Sequence, residues 1–145
     1  DAFEIVAELG DPMIPVCAGM LSEVSKNCRV ILAGGTQMTA VLAFAKKVGY
    51  EKNNTAIGCT SYIIDDKEAL FLETVKQIDD IAVLAIDPML SDSQFHGLRS
   101  YSEGFVKEGA GAGGSLIASV LKTGRSSQRL LELIEKEYQR ISTLQ

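Results

Sequence analysis

The chain has 145 residues, 46% hydrophobic and 23% charged, with 14 Lys and Arg against 19 Asp and Glu and a formal net charge of -5. That length and balance suit one folded domain with a real core and exclude bulk disorder. The acidic surplus and the lack of a basic stripe argue against nucleic-acid binding; no apolar run is long enough for a membrane span, and residues 1–4 lack the basic start of a signal peptide.

Residues 1–9 carry Phe3, Ile5, Val6 and Leu9 and predict a short helix stopped by Gly10. Asp11 and Pro12 suit the cap and first position of a second helix, whose apolar face runs through Val16, Cys17, Met20, Leu21 and Val24 to about residue 26. Residues 29–33 are short, apolar and β-branched and read as a buried parallel strand. Gly34, Gly35, Thr36 and Gln37 form a turn, and residues 38–48 predict a helix closed by Gly49. Residues 55–60 predict a second strand, with 62–64 as its candidate extension, and residues 66–78 a helix with Phe71, Val75 and Ile78 on one face. Residues 81–86 are the clearest strand, ended by Asp87 and Pro88. After a loop from 87 to 96 and a glycine-rich turn come helices over 115–122 and 125–141, the last with Leu130, Ile134, Tyr138 and Ile141 as its apolar face.

Strands alternating with helices predict an α/β fold: a Rossmann-like, three-layer parallel sheet with helices on both faces. Right-handed crossovers put the strand carboxyl ends on one edge, where open α/β sheets bind ligands. Cys17, Cys28 and Cys59 are odd in number and irregularly spaced, which fits buried small hydrophobes better than disulfides or zinc. The absence of an initiator Met, with a start directly on a helical pattern, leads us to expect one α/β domain over 1–145 that is the C-terminal portion of a longer enzyme.

Three places hold candidate chemistry. Five glycines fall from 104 to 114, and Gly109, Gly111, Gly113 and Gly114 would strip side chains from the approach to a helix start, leaving N–H groups free for an anion. Glu108 precedes them, either a surface carboxylate at a helix dipole or a base whose pKa is set by an apolar setting. Gly34, Gly35, Thr36 and Gln37 offer amides and side chains for phosphate or ribose, or are simply a tight turn capped by Thr36. Asp87 ends the best strand, before Ser91, Asp92, Ser93, Gln94, His96 and Arg99, which read as ligand contacts or as a plain surface loop. Asp65 and Asp66 read as the acidic start of a helix. With His96 the sole histidine, no multi-histidine metal site can be assembled without outside help.

Three ordered segments resemble the nicotinate-nucleotide–dimethylbenzimidazole phosphoribosyltransferase family, in its archaeal-type branch. They are Leu9-Gly10-Asp11-Pro12 with Ala18-Gly19-Met20; Val30 to Met38 with its Gly-Gly-Thr-Gln-Met turn; and Lys107-Glu108-Gly109-Ala110-Gly111-Ala112. The resemblance implies a cytoplasmic homodimer that needs no metal or other cofactor. It would move phosphoribose from nicotinate mononucleotide to a benzimidazole-type heterocyclic base in the assembly of the cobalamin lower ligand. Glu108 matches the family's catalytic Glu, which deprotonates the incoming base; Gly34, Gly35, Thr36, Gln37, Asp87, Gly109 and Gly111 would bind substrate. The family's better-studied bacterial members carry Asp-Gly-Phe where Gly34-Gly35-Thr36 stands. The competing readings are a non-catalytic nucleotide- or phosphate-binding α/β module, and a dimerisation domain built on residues 38–48 and 130–141.

Overall fold

The computed structural model describes residues 1–104 and 111–143. Three parallel strands, β1 (Val30–Ala33), β2 (Thr55–Thr60) and β3 (Ala82–Ile86), lie in the order β1-β2-β3. Leu32 stands beside Ile57, and Ile57 beside Val83. The helices are α1 (Ala2–Leu9), α2 (Met13–Val24), α3 (Thr36–Val48), α4 (Ser61–Asp65), α5 (Phe71–Ile78), α6 (His96–Ser102), α7 (Gly111–Thr123) and α8 (Ser127–Ser142). The α/β, Rossmann-like architecture expected from the alternation is what the chain forms.

Alternation along β2 divides the two faces. Ile57 and Cys59 join Leu32 in a core closed by Val41, Leu42 and Ala45 of α3 and by Phe71 and Val75 of α5. Val41, Leu42, Ala45, Ile57 and Cys59 are all 0% exposed. Burying a side chain of the Leu or Ile kind contributes about 2 kcal/mol. Ala18 and Leu21 of α2 pack on the far side of α3, and the Phe3 ring meets Phe44 edge-on at 5.0 Å. Gly58 points to the opposite face, where α7 crosses the sheet. With α3 and α5 on one side and α7 on the other, the layers number three.

Local chemistry explains where the helices start. The Asp1 carboxylate accepts from the Phe3 amide at 3.0 Å, and Glu4 reaches back to complete a capping box. The Asp11 carboxylate accepts from the Met13 amide at 2.8 Å, so Asp11 closes the start of α2 although the helix itself opens one residue past Pro12.

Several expectations need correction. Residues 62–64 do not extend β2; they lie in α4. The register shows why: Ala33 pairs with Gly58 and Ile86 with Thr60, so neither neighbour offers a partner beyond Thr60. The helix expected from 66 begins only at Phe71, because Leu70 adopts a left-handed φ of 45° and the Asp66 carboxylate holds a turn by accepting from the Glu68 amide at 3.1 Å. Asp65 and Asp66 therefore end α4 and do not start a helix. The loop from 87 to 96 is followed by α6, which the sequence reading missed, and α7 begins at Gly111, not at 115. Ser126 caps α8 by accepting from the Arg129 amide, so that helix opens at Ser127; its buried residues are Leu130 and Leu131, while Ile141 is 53% exposed. Of the cysteines only Cys59 is buried, and Cys28 is exposed. Val41, Leu42, Phe44 and Ala45 of α3 are buried in the core.

Candidate functional site at the carboxyl edge of the sheet

The parallel strands send three loops to one edge. After β1, Gly34 continues the ladder, its amide donating to the Gly58 carbonyl at 3.0 Å. Gly34 and Gly35 are buried, and a Cβ on Gly34 would stand 2.7 Å from the Met38 side chain, which would have to move to admit a larger residue. A Cβ on Gly35 would stand 3.1 Å from Ile63 of α4. Gly35 is the cap residue of α3, with no side-chain hydrogen bond, and Thr36 and Gln37 are its first helical residues, both exposed. This corrects the expected capping by Thr36, whose carbonyl instead accepts from the Thr39 hydroxyl at 2.6 Å. The first amides of a helix have no intrahelical acceptor, so this turn presents donors to the edge.

Gly111 opens α7 beside the end of β1: a Cβ there would lie 3.5 Å from the Ala33 carbonyl oxygen. The next glycines do something else. A Cβ on Gly113 would fall 2.1 Å from the Cys59 carbonyl carbon and one on Gly114 2.4 Å from the Ala33 Cβ. They are buried inside α7 and let its backbone lie directly on the sheet, so they do not line an approach to the helix start.

Asp87 follows β3, exposed, with its carboxylate accepting from the Met89 amide at 2.8 Å. Since strands lie about 5 Å apart, Asp87 stands roughly 10 Å across the edge from Gly34. Gly34, Gly35, Thr36, Gln37 and Gly111 thus gather at the β1 side and Asp87 stands apart. Glu108 and Gly109 lie outside the described residues.

Two groups at this edge escaped the sequence reading. Thr60 ends the central strand, is 0% exposed, and shares the α7 face with Gly58. Its hydroxyl and the buried hydroxyl of Tyr62 have no partner at hydrogen-bond distance among the described residues. Burial pushes the Tyr62 phenol above its ordinary pKa and the nearby Asp87 carboxylate adds to this, while the Leu90 backbone and the backbone and hydroxyl of Ser91, close to the phenol, oppose it. An unpaired buried hydroxyl costs free energy and calls for a reason. The available signal was a polar residue, Thr60, closing an apolar strand that leads into Ser61 and Tyr62.

The polar residues after Asp87 serve the fold. The Ser93 hydroxyl donates to Glu135 at 2.7 Å, the Gln94 amide donates to the same oxygen at 2.8 Å, and the Arg99 guanidinium donates to the Ser93 carbonyl at 2.7 Å. Together with the Phe95–Tyr138 ring pair at 5.1 Å, they clamp α8 to this loop. His96 is exposed at the start of α6. Among the described residues no helix is long and apolar enough to cross a membrane.

No family profile matches the chain. Among curated proteins it is 39% identical over 124 residues to a UPF0284 protein of Methanopyrus kandleri, covering 85% of this chain and 32% of that protein. It is 40% identical over 138 residues to one of Pyrococcus abyssi, covering 95% and 40%, and 37% identical over 142 residues to one of Picosynechococcus, covering 94% and 39%. The chain is therefore a homologue of UPF0284 proteins along most of its own length, and it spans no more than about two-fifths of theirs.

Proposed function

We propose that the full-length protein is a phosphoribosyltransferase that moves phosphoribose from nicotinate mononucleotide to a benzimidazole-type base and releases nicotinate. The observation that carries this reading is the gathering of Gly34, Gly35, Thr36, Gln37 and Gly111 at the carboxyl edge of a parallel sheet, in the order in which the family's motifs run. There, two helix starts, those of α3 and α7, favour an anion such as the 5′-phosphate. Asp87, across the edge, suits the ribose hydroxyls.

In the reaction Glu108 accepts the N–H proton of the incoming base. The ring nitrogen attacks the anomeric carbon, the bond from that carbon to the nicotinate nitrogen breaks, and its electron pair leaves with nicotinate. In the sequence Glu108 follows Gly104 by four positions and precedes Gly111 by three. Gly109 completes the same motif. The proposed setting is that of cobalamin lower-ligand assembly by a cytoplasmic homodimer, with this chain as the C-terminal domain.

The test mixes full-length protein with nicotinate mononucleotide and a panel of benzimidazoles and purines, and follows nicotinate release. Glu108→Gln should lower the transfer rate by roughly 10²–10⁴-fold, the usual contribution of a positioned general base. Full activity in that variant would remove Glu108 from the role. Mononucleotide binding that survives Glu108→Gln, with no transfer to any base, would instead support a non-catalytic binding module, a reading favoured by the two helix starts at one edge.

A further inference from the structure

The two outer strands of the sheet differ in cover. β1 lies at one side, and none of its residues is exposed; β3 lies at the other, with Ala82, Leu84 and Ala85 exposed. Strands of a parallel sheet are buried on both faces. Leu84 stands beside Gly58 on the α7 face, and Val83 beside Ile57 on the opposite one. Along β3 and α7 runs a groove of about 500 Å³, walled by Leu84, Ala85, Ile117, Val120 and Leu121. Leu121 is 71% exposed, and Arg125 is the one charged residue among the described residues of the wall. Native proteins blunt a free strand edge with charge, proline or a bulge. Residues 81–86 hold no charge and no proline, and the register with β2 runs unbroken from Ala82 to Ile86. Among the described residues no strand lies on the outer side of β3.

We propose that in the full-length protein the outer edge of β3 is paired by a further parallel strand of the same polypeptide, whose unit also fills the groove against α7. The relatives described above carry more than half of their length beyond the part that this chain matches. A parallel neighbour needs a crossover of about a dozen residues or more, which that length supplies. A second copy fits less well. A two-fold axis would set β3 antiparallel to itself and break an all-parallel sheet. The apolar walls suit packed side chains and offer little to a polar ligand. In the reading of this chain as the C-terminal domain, on which the source of the strand rests, the strand comes from residues that precede Asp1. The added strand has a consequence for the site. Neighbouring strands lie about 5 Å apart, so the loop that follows it reaches the carboxyl edge next to Asp87. Residues outside 1–145 then complete that side of the edge, where open α/β sheets bind ligands.

The test replaces Leu121 of the full-length protein with the photo-crosslinking residue p-benzoylphenylalanine and maps the products by mass spectrometry. The expected product has monomer mass under denaturing conditions and joins position 121 to a peptide that precedes Asp1. A product of dimer mass would put a second copy on this edge, and products confined to residues 1–145, or none, would leave it bare; either result overturns the proposal. A cross-link to a peptide that follows Gln145 would keep the added strand and overturn its source. Should the substituted protein fail to fold, amide exchange on the unaltered full-length protein decides. With the edge paired, the amides of β3 exchange within about tenfold of those of β2 at every protein concentration. Much faster exchange in β3, or protection that is lost on dilution, overturns the proposal. The transferase reading falls separately. A cross-linked protein that releases no nicotinate keeps the strand and removes the reaction, whereas nicotinate release with a bare edge does the reverse.

Discussion

The two faces of the sheet are packed by opposite means. Toward α3 and α5, large side chains interlock: Leu32 and Ile57 against Val41, Leu42, Phe71 and Val75. Toward α7, side chains are removed so that backbones touch: Gly58 against Gly114, and Gly113 against the Cys59–Thr60 peptide. The first face resists loss of volume and the second resists gain. The second also brings the start of α7 down to the sheet edge, which is what places Gly111 beside Ala33 and the Gly34–Gly35 turn. Close approach there is a structural fact with a consequence for the site.

The largest effect should come from emptying the first face. Leu42 is 0% exposed at the centre of the core. Leu42→Ala should cost about 4 kcal/mol, the lost transfer energy plus an unfilled cavity, read as a fall in chemical-denaturation midpoint at unchanged slope. A loss near 1 kcal/mol would mean that α2 and α5 collapse into the gap and that this face is less tightly interlocked than its burial indicates.

These two modes of packing also explain what the sequence disclosed. Packing by side chains leaves a periodic trace, and α1, α2, α3 and all three strands were legible from it to within a residue or two. Packing by glycine leaves no apolar period, so Gly111, Gly113 and Gly114 read as a turn when they are the first four residues of α7 together with Ala112. The run from Tyr62 to Ile64 has strand chemistry, yet it turns into α4 because β1 and β3 have no residues left to pair with it, a constraint that lives in the register and not in the segment. At the site, the glycine turn after β1 was readable because tight turns have a composition of their own. The unpaired hydroxyls of Thr60 and Tyr62 were not, since being buried without a partner is a property of the fold.

On the second face, Gly113→Ala should cost about 3 kcal/mol, the upper end of ordinary overpacking, because the new methyl would meet a peptide 2.1 Å away and rigid backbone cannot step aside. The expected outcome is a lowered melting temperature with α7 shifted off the sheet, visible as faster amide exchange in both α7 and β2. Equal stability of Gly113→Ala and the parent would break the comparison outright. Gly111→Ala sharpens it from the other side. Among the described residues a Cβ there meets only the Ala33 carbonyl at 3.5 Å, an ordinary contact, so alanine should stabilise by about 0.5 kcal/mol through a less flexible unfolded chain. If Gly111 also binds substrate, that variant gains stability while losing ribose 5-phosphate affinity, and the two readouts separate its roles.

The smallest effect concerns α8, which adds polar contacts to the loop after β3 to the burial of Leu130 and Leu131. The Ser93 hydroxyl and then the Gln94 amide, both donating to Glu135, hold its carboxyl below the usual value of 4.5. A carboxylate whose pKa is depressed by folding binds its proton less readily in the folded state, so its contribution to stability is complete above the unfolded value and fades as pH falls through the folded one. Glu135→Gln should therefore lower the melting temperature slightly at pH 7, and the difference from the parent should shrink below about pH 4.5 and vanish once both carry a neutral side chain at that position. A gap that persists unchanged at low pH would show that the Glu135 charge contributes nothing and that α8 is held by Leu130, Leu131 and the Phe95–Tyr138 pair alone, which would return α8 to the side-chain mode of the first face.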